Sequence, residues 1–304
     1  MRPRIVLCFP NEEKHRRKIA ETAPWADVVD VPQERIAAEL LEADIFCGHA
    51  KVPVDWDAVV RRGRLRWIQS SAAGMDHCLV PSVIDSDIIV TSASGLLADQ
   101  VAEHTVALIT AWLRSLPVFL RAQEKQEFIR RPTRDLHRST VLIVGFGGVG
   151  RRLAQILRMF KTTLWAVDLF PVDCPPYVSQ LVPPEKLETL LPGADIVILS
   201  LPLNDQTRGM FNRRLFAMMK PGSLFVNVAR GPIVVTNDLI DMIKNGHLAG
   251  AVMDVTDPEP LPPGHPLWTT PNVIITPHVG GQSATRADDV VRIMCENLRR
   301  WHEG

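Results

Sequence analysis

Val141-Leu-Ile-Val-Gly-Phe-Gly-Gly-Val-Gly150, with Asp168 a short distance on, is the stretch whose reading decides the fold. Residues 141–144 read as a buried parallel strand, and Gly145, Gly147 and Gly150 occupy the glycine positions of G-x-G-x-x-G. Leu153, Ile156, Leu157 and Phe160 then recur at helical spacing. Glycine is needed in such a place for a tight turn, for approach of a pyrophosphate to the backbone, and for helix–strand packing. The following helix presents free N–H groups and a positive dipole end to phosphates. A second apolar run, residues 163–167, ends at Asp168, where a carboxylate can accept hydrogen bonds from an adenosine ribose. Strand, glycines, helix, strand and acid in this order predict a dinucleotide site. A 2′-phosphate beside Asp168 would bring like charges together at a cost of roughly 1–4 kcal/mol. Leu169 and Phe170 supply no compensating cation, so NAD is expected rather than NADP. A methyl-donor nucleoside site also uses a glycine-rich turn and an acid, and these residues alone leave it open.

At 304 residues the chain exceeds the size at which one core usually divides, so two domains are expected. Hydrophobic content of 46% and charged content of 22% are those of a globular protein. The 34 basic and 34 acidic side chains balance, which gives no electrostatic grip on nucleic acid or anionic lipid. Cys8, Cys47, Cys78, Cys174 and Cys295 are odd in number and widely spaced, with no C-x-x-C, so neither a disulfide framework nor a metal site is expected. Residues 5–9 form too short an apolar run for a signal segment. No run approaches the roughly 20 residues of a membrane span. A soluble, cytoplasmic protein with reduced thiols is the expectation.

Short apolar runs at 5–9, 28–31, 45–48, 65–69 and 88–91 alternate with helical patterns and predict a first α/β unit with a parallel sheet. Pro10 and Asn11, not a glycine triplet, follow its first strand, so this unit is expected to bind something other than dinucleotide phosphates. Residues 96–119 read as one long apolar helix, which must bury most of its circumference between domains or subunits. The second unit has predicted strands at 141–144, 164–167, 196–199, 224–227, 249–254 and 273–276, with proline-rich loops at 171–184 and 258–266. Residues 284–301 form an amphipathic helix expected to return to the first domain.

Three later segments carry polar groups that packing explains poorly. Asn227-Val-Ala-Arg-Gly231 places an arginine beyond the carboxyl end of a strand, the edge where ligands sit in open α/β sheets. Its planar fork suits a carboxylate or a carbonyl oxygen. Asp254-Val-Thr-Asp-Pro-Glu-Pro-Leu261 holds Glu259 on a proline-stiffened loop. In Thr276-Pro-His-Val-Gly-Gly281 a histidine follows a strand. A hydride arriving at a carbonyl carbon requires a proton at the oxygen, and histidine supplies one near neutral pH. A carboxylate behind the ring keeps the imidazolium populated and oriented. His104 reads as a core histidine with a hydrogen-bond partner.

These segments resemble the D-isomer-specific 2-hydroxyacid dehydrogenases from about residue 45 onward. The marks are Ser71-Ala-Ala-Gly-Met-Asp76, Val101-Ala-Glu-His-Thr105, Val144-Gly-Phe-Gly-Gly-Val-Gly150, Met219-Lys-Pro-Gly222, Val228-Ala-Arg-Gly231, Asp254 with Glu259-Pro-Leu261, Pro266-Leu-Trp268, and Thr276-Pro-His-Val-Gly-Gly281. The resemblance implies two Rossmann/flavodoxin-like parallel-sheet domains with the active site in a cleft between them. The substrate domain would comprise residues 1–96 and 277–304, and the NAD-binding domain residues 97–276. A homodimer built on the nucleotide domains is implied as well.

Carried over by position, Arg230 binds the substrate's keto oxygen and carboxylate. His278 is the proton donor or acceptor, and Glu259 is its paired acid. The amides of Ala73 and Gly74 hold the substrate carboxylate. Phe146, Gly147, Gly148 and Val149 form the pyrophosphate turn, and Asp168 binds the ribose. Leu201, Pro202 and Thr207 line the adenosine side. Val228, Ala229, Asp254 and Gly280 lie near the nicotinamide, whose carboxamide Asp254 would orient. The expected substrate is a short 2-keto or 2-hydroxy acid, with glyoxylate/hydroxypyruvate reductase-like activity first. Formate dehydrogenase-like chemistry is disfavoured, because that branch has glutamine where this chain has Glu259. The chain is expected to lack the extra C-terminal regulatory domain of some phosphoglycerate dehydrogenases.

Departures from the family pattern are local. Val234-Val-Thr-Asn237 replaces an acidic stretch, with Thr236 or Asn237 expected to cap the next helix. Thr256 replaces an aromatic, and Arg138-Ser139 replace a glycine–lysine pair. An NAD(H)-sensing, corepressor-like binding protein of the same fold, which keeps the triad, is the alternative reading. A methyl-donor enzyme fails to explain the triad.

Overall fold

The computed structural model describes residues 2–304. The chain divides into two compact units, Met1–Leu97 with Gln282–Gly304, and Ala98–Gly281. The first holds a five-stranded parallel sheet in the order β2-β1-β3-β4-β5, with β1 Arg4–Cys8, β2 Asp27–Asp30, β3 Ile45–Gly48, β4 Trp67–Ser70 and β5 Ile89–Thr91. That order is flavodoxin-like. Helices cover both faces, so the central strands read as unbroken apolar runs. Val6, Phe46 and Ile68 pack on one side with Ile36, Leu40 and Trp56. Ile5, Leu7, Ile45 and Trp67 pack on the other with Ile19 and with Val291, Met294 and Leu298 of the last helix, Arg286–Glu303. Buried Gln69 ties that helix to the sheet: its Oε1 accepts from Thr91 Oγ1 at 2.8 Å and from Asn297 Nδ2 at 2.7 Å.

The second unit holds a seven-stranded sheet in the order β12-β11-β10-β9-β6-β7-β8. The strands are β6 Thr140–Val144, β7 Thr163–Val167, β8 Gln180–Val182, β9 Ile196–Leu199, β10 Leu224–Asn227, β11 Gly250–Met253 and β12 Val273–Ile275, all paired in parallel. Counted from β6, the order is that of the doubly wound dinucleotide-binding fold with one strand added. The order reverses between β6 and β9, and the glycine turn lies directly after β6, at that switch point. Register is level across the other half: Asn227 pairs with Met253 and Met253 with Ile275. The loops that follow β10, β11 and β12 therefore leave the sheet side by side.

Three expectations change. The long helix over 96–119 is two helices, Ala98–Leu113 and Leu116–Glu124, bent by 68°. Pro117 has no N–H for the Leu113 carbonyl and its ring would clash there. The chain turns through Ser115 at φ 57, and the Leu113 carbonyl accepts from the Arg134 N–H at 3.0 Å. Second, the proline-rich stretch 171–184 contains β8, which pairs with β7 through Trp165–Gln180 and its neighbours. Third, the second unit runs to Gly281 and not to Thr276, because the N–H groups of His278, Val279 and Gly280 all bond Asp254. No single helix among the described residues is long and apolar enough to cross a membrane.

Candidate active site

The glycine turn is built by close packing on two sides and by open space on a third. Gly145 has φ +94, and a Cβ there would lie 2.7 Å from the Leu201 backbone. At Gly150 a Cβ would lie 2.2 Å from the Gly145 carbonyl oxygen. At Gly147 a Cβ would meet no atom within 4 Å. Packing therefore explains two of the glycines, and the third leaves the backbone bare toward open space, as approach of a pyrophosphate requires. The helix Gly148–Leu157 starts there without a side-chain cap. Asp168 accepts the Phe146 N–H on Oδ2 at 2.6 Å and the Phe170 N–H on Oδ1 at 3.0 Å, so the acid also ties the turn to β7. Arg151 donates to the carbonyls of Asp173 and Val172, each at 3.0 Å, and lies 5.0 Å over the Phe146 ring. It fixes the chain beyond Asp168, a task that sequence reasoning missed.

The loop of Leu201, Pro202 and Thr207 backs onto this turn. Ser200 Oγ donates to the Gly145 carbonyl at 2.7 Å. Thr207 Oγ1 donates to the Pro202 carbonyl at 2.8 Å and accepts the Asn204 N–H at 2.9 Å, closing the loop on itself. The turn, the acid and this loop thus come together. They fit a dinucleotide.

The second cluster stands at the ends of β10, β11 and β12. Fully buried Asn227 shapes the arginine turn: its Oδ1 accepts the Ala229 N–H and its Nδ2 donates to the Arg230 carbonyl, both at 3.0 Å. Half-buried Arg230 donates from Nη1 to the Ala229 carbonyl at 2.7 Å. A Cβ on Gly231 would fall 1.8 Å from the Thr256 carbonyl oxygen, so this glycine lets the arginine turn lie against the loop that carries Glu259. Thr236 Oγ1 donates to the Asp257 carbonyl at 3.2 Å and ties the same loop from another side. Val235 stands at the N-cap of the helix Thr236–Lys244 without a side-chain cap, so the expected capping by Thr236 or Asn237 is absent. The threonine hydroxyl is turned to the loop instead. Thr256 Oγ1 donates to the Pro258 carbonyl at 2.9 Å.

Glu259 Oε1 lies 2.7 Å from His278 Nδ1, and each side chain is a little over two-fifths exposed (43% and 44%). The histidine sits in a turn hung on Asp254. The Asp254 carbonyl accepts the His278 N–H at 2.7 Å. Its carboxylate accepts from Thr276 Oγ1 (2.6 Å) and the Val279 N–H (3.0 Å) on Oδ1, and from the Gly280 N–H (2.9 Å) on Oδ2. His278 has φ 55. This left-handed conformation costs a non-glycine residue about 1–3 kcal/mol and persists where its surroundings over-determine it. Asp254, sought as a partner for the nicotinamide, is thus also the hub of the histidine turn.

Val228 is half-buried and Ala229 buried on the arginine turn. Ala73 and Gly74 lie in the first unit, just beyond β4, where Ser70 Oγ accepts the Ala72 N–H at 3.1 Å. Ala73 is exposed and Gly74 half-buried.

The comparisons agree with this architecture. Residues 106–280 match the D-isomer specific 2-hydroxyacid dehydrogenase, NAD binding domain. An uncharacterized protein from the proB 3′ region of Corynebacterium melassecola is 38% identical over 222 residues, covering 70% of this chain and 71% of that one. A glyoxylate reductase of Thermofilum pendens is 31% identical over 260 residues, covering 81% and 74%. The crystal structure of the TT0316 protein from Thermus thermophilus superposes with a TM-score of 0.82 at 29% identity, covering 99% of this chain and 97% of that one. The chain belongs to the D-isomer specific 2-hydroxyacid dehydrogenase family, an NAD-dependent oxidoreductase family, and residues 106–280 are its NAD binding domain.

Proposed function

We propose that the protein reduces a short 2-keto acid to the D-2-hydroxy acid with NADH, with His278, Glu259 and Arg230 as the catalytic set. The observation that carries this reading is the 2.7 Å pairing of His278 Nδ1 with Glu259 Oε1, in a turn hung on Asp254 at the carboxyl edge of the NAD-binding sheet. Gly145, Phe146, Gly147, Gly148, Val149 and Gly150 hold the pyrophosphate, Asp168 the ribose, and Leu201, Pro202 and Thr207 the adenosine side. Val228, Ala229, Asp254 and Gly280 hold the nicotinamide end. Bound NADH supplies a hydride to the keto carbon.

The chain's own residues do the rest. Arg230 offers its guanidinium N–H groups to the keto oxygen and the carboxylate, which stabilises charge developing on that oxygen. The amides of Ala73 and Gly74, in the first (substrate) unit, take the carboxylate. Glu259 keeps the Nδ1–H of His278 throughout and fixes the ring, so Nε2 is the atom that gives its proton to the oxygen. In the oxidative direction Nε2 takes that proton back.

Glyoxylate and hydroxypyruvate are the first substrates to try, and the likeness to the Thermofilum glyoxylate reductase supports that choice. Exposed Leu116, Leu120, Phe128 and Ile129, at and beyond the Leu116–Glu124 helix, support a homodimer built on the NAD-binding unit. Four free cysteines buried in the fold fit a reducing cytoplasm.

The test is NADH oxidation against glyoxylate, hydroxypyruvate, pyruvate, phenylpyruvate and branched 2-keto acids, with NADPH in parallel. Turnover on at least one acid, faster with NADH, is expected. No turnover on any acid, together with a protein partner bound only in the presence of NADH, would favour a sensor.

A further inference from the structure

We propose that His104 is a positioning residue that braces the turn carrying His278; the inference rests on the assignment of His278 as proton donor. His104 lies on the helix Ala98–Leu113, with its side chain 23% exposed. Its Nε2 stands 3.1 Å from Thr276 Oγ1 and 3.3 Å from Asp254 Oδ1. The Thr276 hydroxyl gives its single proton to Asp254 Oδ1 at 2.6 Å, and a carboxylate has none to give. Both neighbours of Nε2 are therefore acceptors, so Nε2 carries hydrogen and His104 donates it to Thr276 Oγ1, with the Asp254 carboxylate close behind. The same ring meets the other end of the turn, because a Cβ on Gly280 would lie 3.4 Å from His104 Cδ2. One imidazole thus holds Thr276 by a hydrogen bond and stands beside Gly280, and His278 lies between them in sequence in its left-handed conformation.

An apolar side chain would serve an apolar helix equally well if packing were the whole role. The geometry calls for a donor at this place because three polar groups of the turn already converge on the Asp254 carboxylate, and His104, from a separate element, bonds one of them, the Thr276 hydroxyl, with its Nε2 3.3 Å from the same carboxylate. A loosened turn would displace the imidazole from Glu259 and from the reacting oxygen while leaving the glycine turn and the arginine turn in place. The loss falls on kcat and, through Asp254 and Gly280, on the nicotinamide end, and spares the binding of the 2-keto acid.

The test compares His104→Leu, which fills the space without a donor, with His104→Gln, which restores an N–H near Nε2. Amide hydrogen exchange of the cofactor-free proteins and steady-state kinetics with NADH and the best 2-keto acid are measured on both. His104→Leu should lower the protection of the His278, Val279 and Gly280 amides about tenfold or more, and leave the amides of β6 and β9 unchanged. Its kcat should fall by about 10- to 100-fold, as a small misplacement does, with the KM for the 2-keto acid within about twofold. His104→Gln should recover most of both. Unchanged protection in His104→Leu, or equal damage in the two variants, would overturn the brace. If the wild type turns over no 2-keto acid, the reading of His278 fails and the exchange arm still decides whether the brace exists.

Discussion

Gly231→Ala puts one methyl group where the structure has no room, and its cost can be worked from the contacts. The added Cβ would lie 1.8 Å from the Thr256 carbonyl oxygen, 2.2 Å from its carbon and 2.8 Å from the Asp257 nitrogen, all backbone atoms. Gly231 does not lie in the left-handed region, so the effect is steric. Moving the oxygen from 1.8 Å to 3.0 Å, the lower limit of real Cβ contacts, separates the two loops by about 1.2 Å. Arg230 precedes the methyl group and Glu259 lies further along the loop it strikes, so the shift falls between two members of the proposed catalytic set. Misplacement by about 1 Å lowers rates by roughly 100-fold. Overpacking of this kind destabilises by about 1–3 kcal/mol. The assay is kcat from NADH oxidation, with thermal unfolding and NADH affinity on the same preparations. NADH affinity should change by less than about threefold, because the glycine turn after β6 is untouched. A variant that keeps kcat within about twofold would refute the proposed link between Gly231 and the spacing of Arg230 and Glu259.

Other perturbations probe separate parts. Asp168→Ala removes the charge that opposes a 2′-phosphate, worth roughly 1–4 kcal/mol, and should raise the ratio of kcat/KM for NADPH over NADH by at least about fivefold. It also frees the Phe146 N–H, so efficiency with NADH itself should fall; an unchanged ratio would count against the ribose assignment. Burial pushes the Asp195 carboxyl up, but the Lys220 ammonium at 2.6 Å and the Thr140 N–H at 2.8 Å outweigh it and hold it below its ordinary value. A depressed folded value gives stability that is present above the ordinary carboxylate range, about pH 4, and is lost as pH falls through the folded value. Asp195→Asn should therefore be less stable than wild type at neutral pH and converge with it in acid, as chemical denaturation will read. Burial pushes the thiols of Cys8 and Cys78 up to about 11 and about 12, and Cys47 and Cys295 are buried as well, so an alkylating reagent at pH 8 should label native protein at exposed Cys174 alone.

The glycine turn was legible because its chemistry is local: strand, turn, helix and acid fall within one short span, and each residue's role follows from its neighbours. Arg230, Glu259 and His278 were legible as types placed after strands, and the parallel sheet then sets β10, β11 and β12 side by side. What escaped the sequence was non-local. Strand β8 is three residues long, too short for a period, and exists through its pairing with β7. The break after Leu113 was marked by Pro117, but the apolar run on both sides masked it. Thr236 read as a cap because capping is the commonest use of threonine before a helix; its hydroxyl found the Asp257 carbonyl instead. His104 read as a core histidine with some partner. The partner, Thr276, lies 172 residues away, and only the packing of the helix Ala98–Leu113 in the second unit identifies it.

The most direct measurement is the single-turnover rate of NADH oxidation by His278→Asn on the best 2-keto acid, with NADH binding measured alongside. Removal of a positioned proton donor should slow that step by about 10²- to 10⁴-fold and leave NADH bound. Oxidation at the wild-type rate would contradict the assignment of the proton to His278, and with it the catalytic set built around the Glu259 pairing.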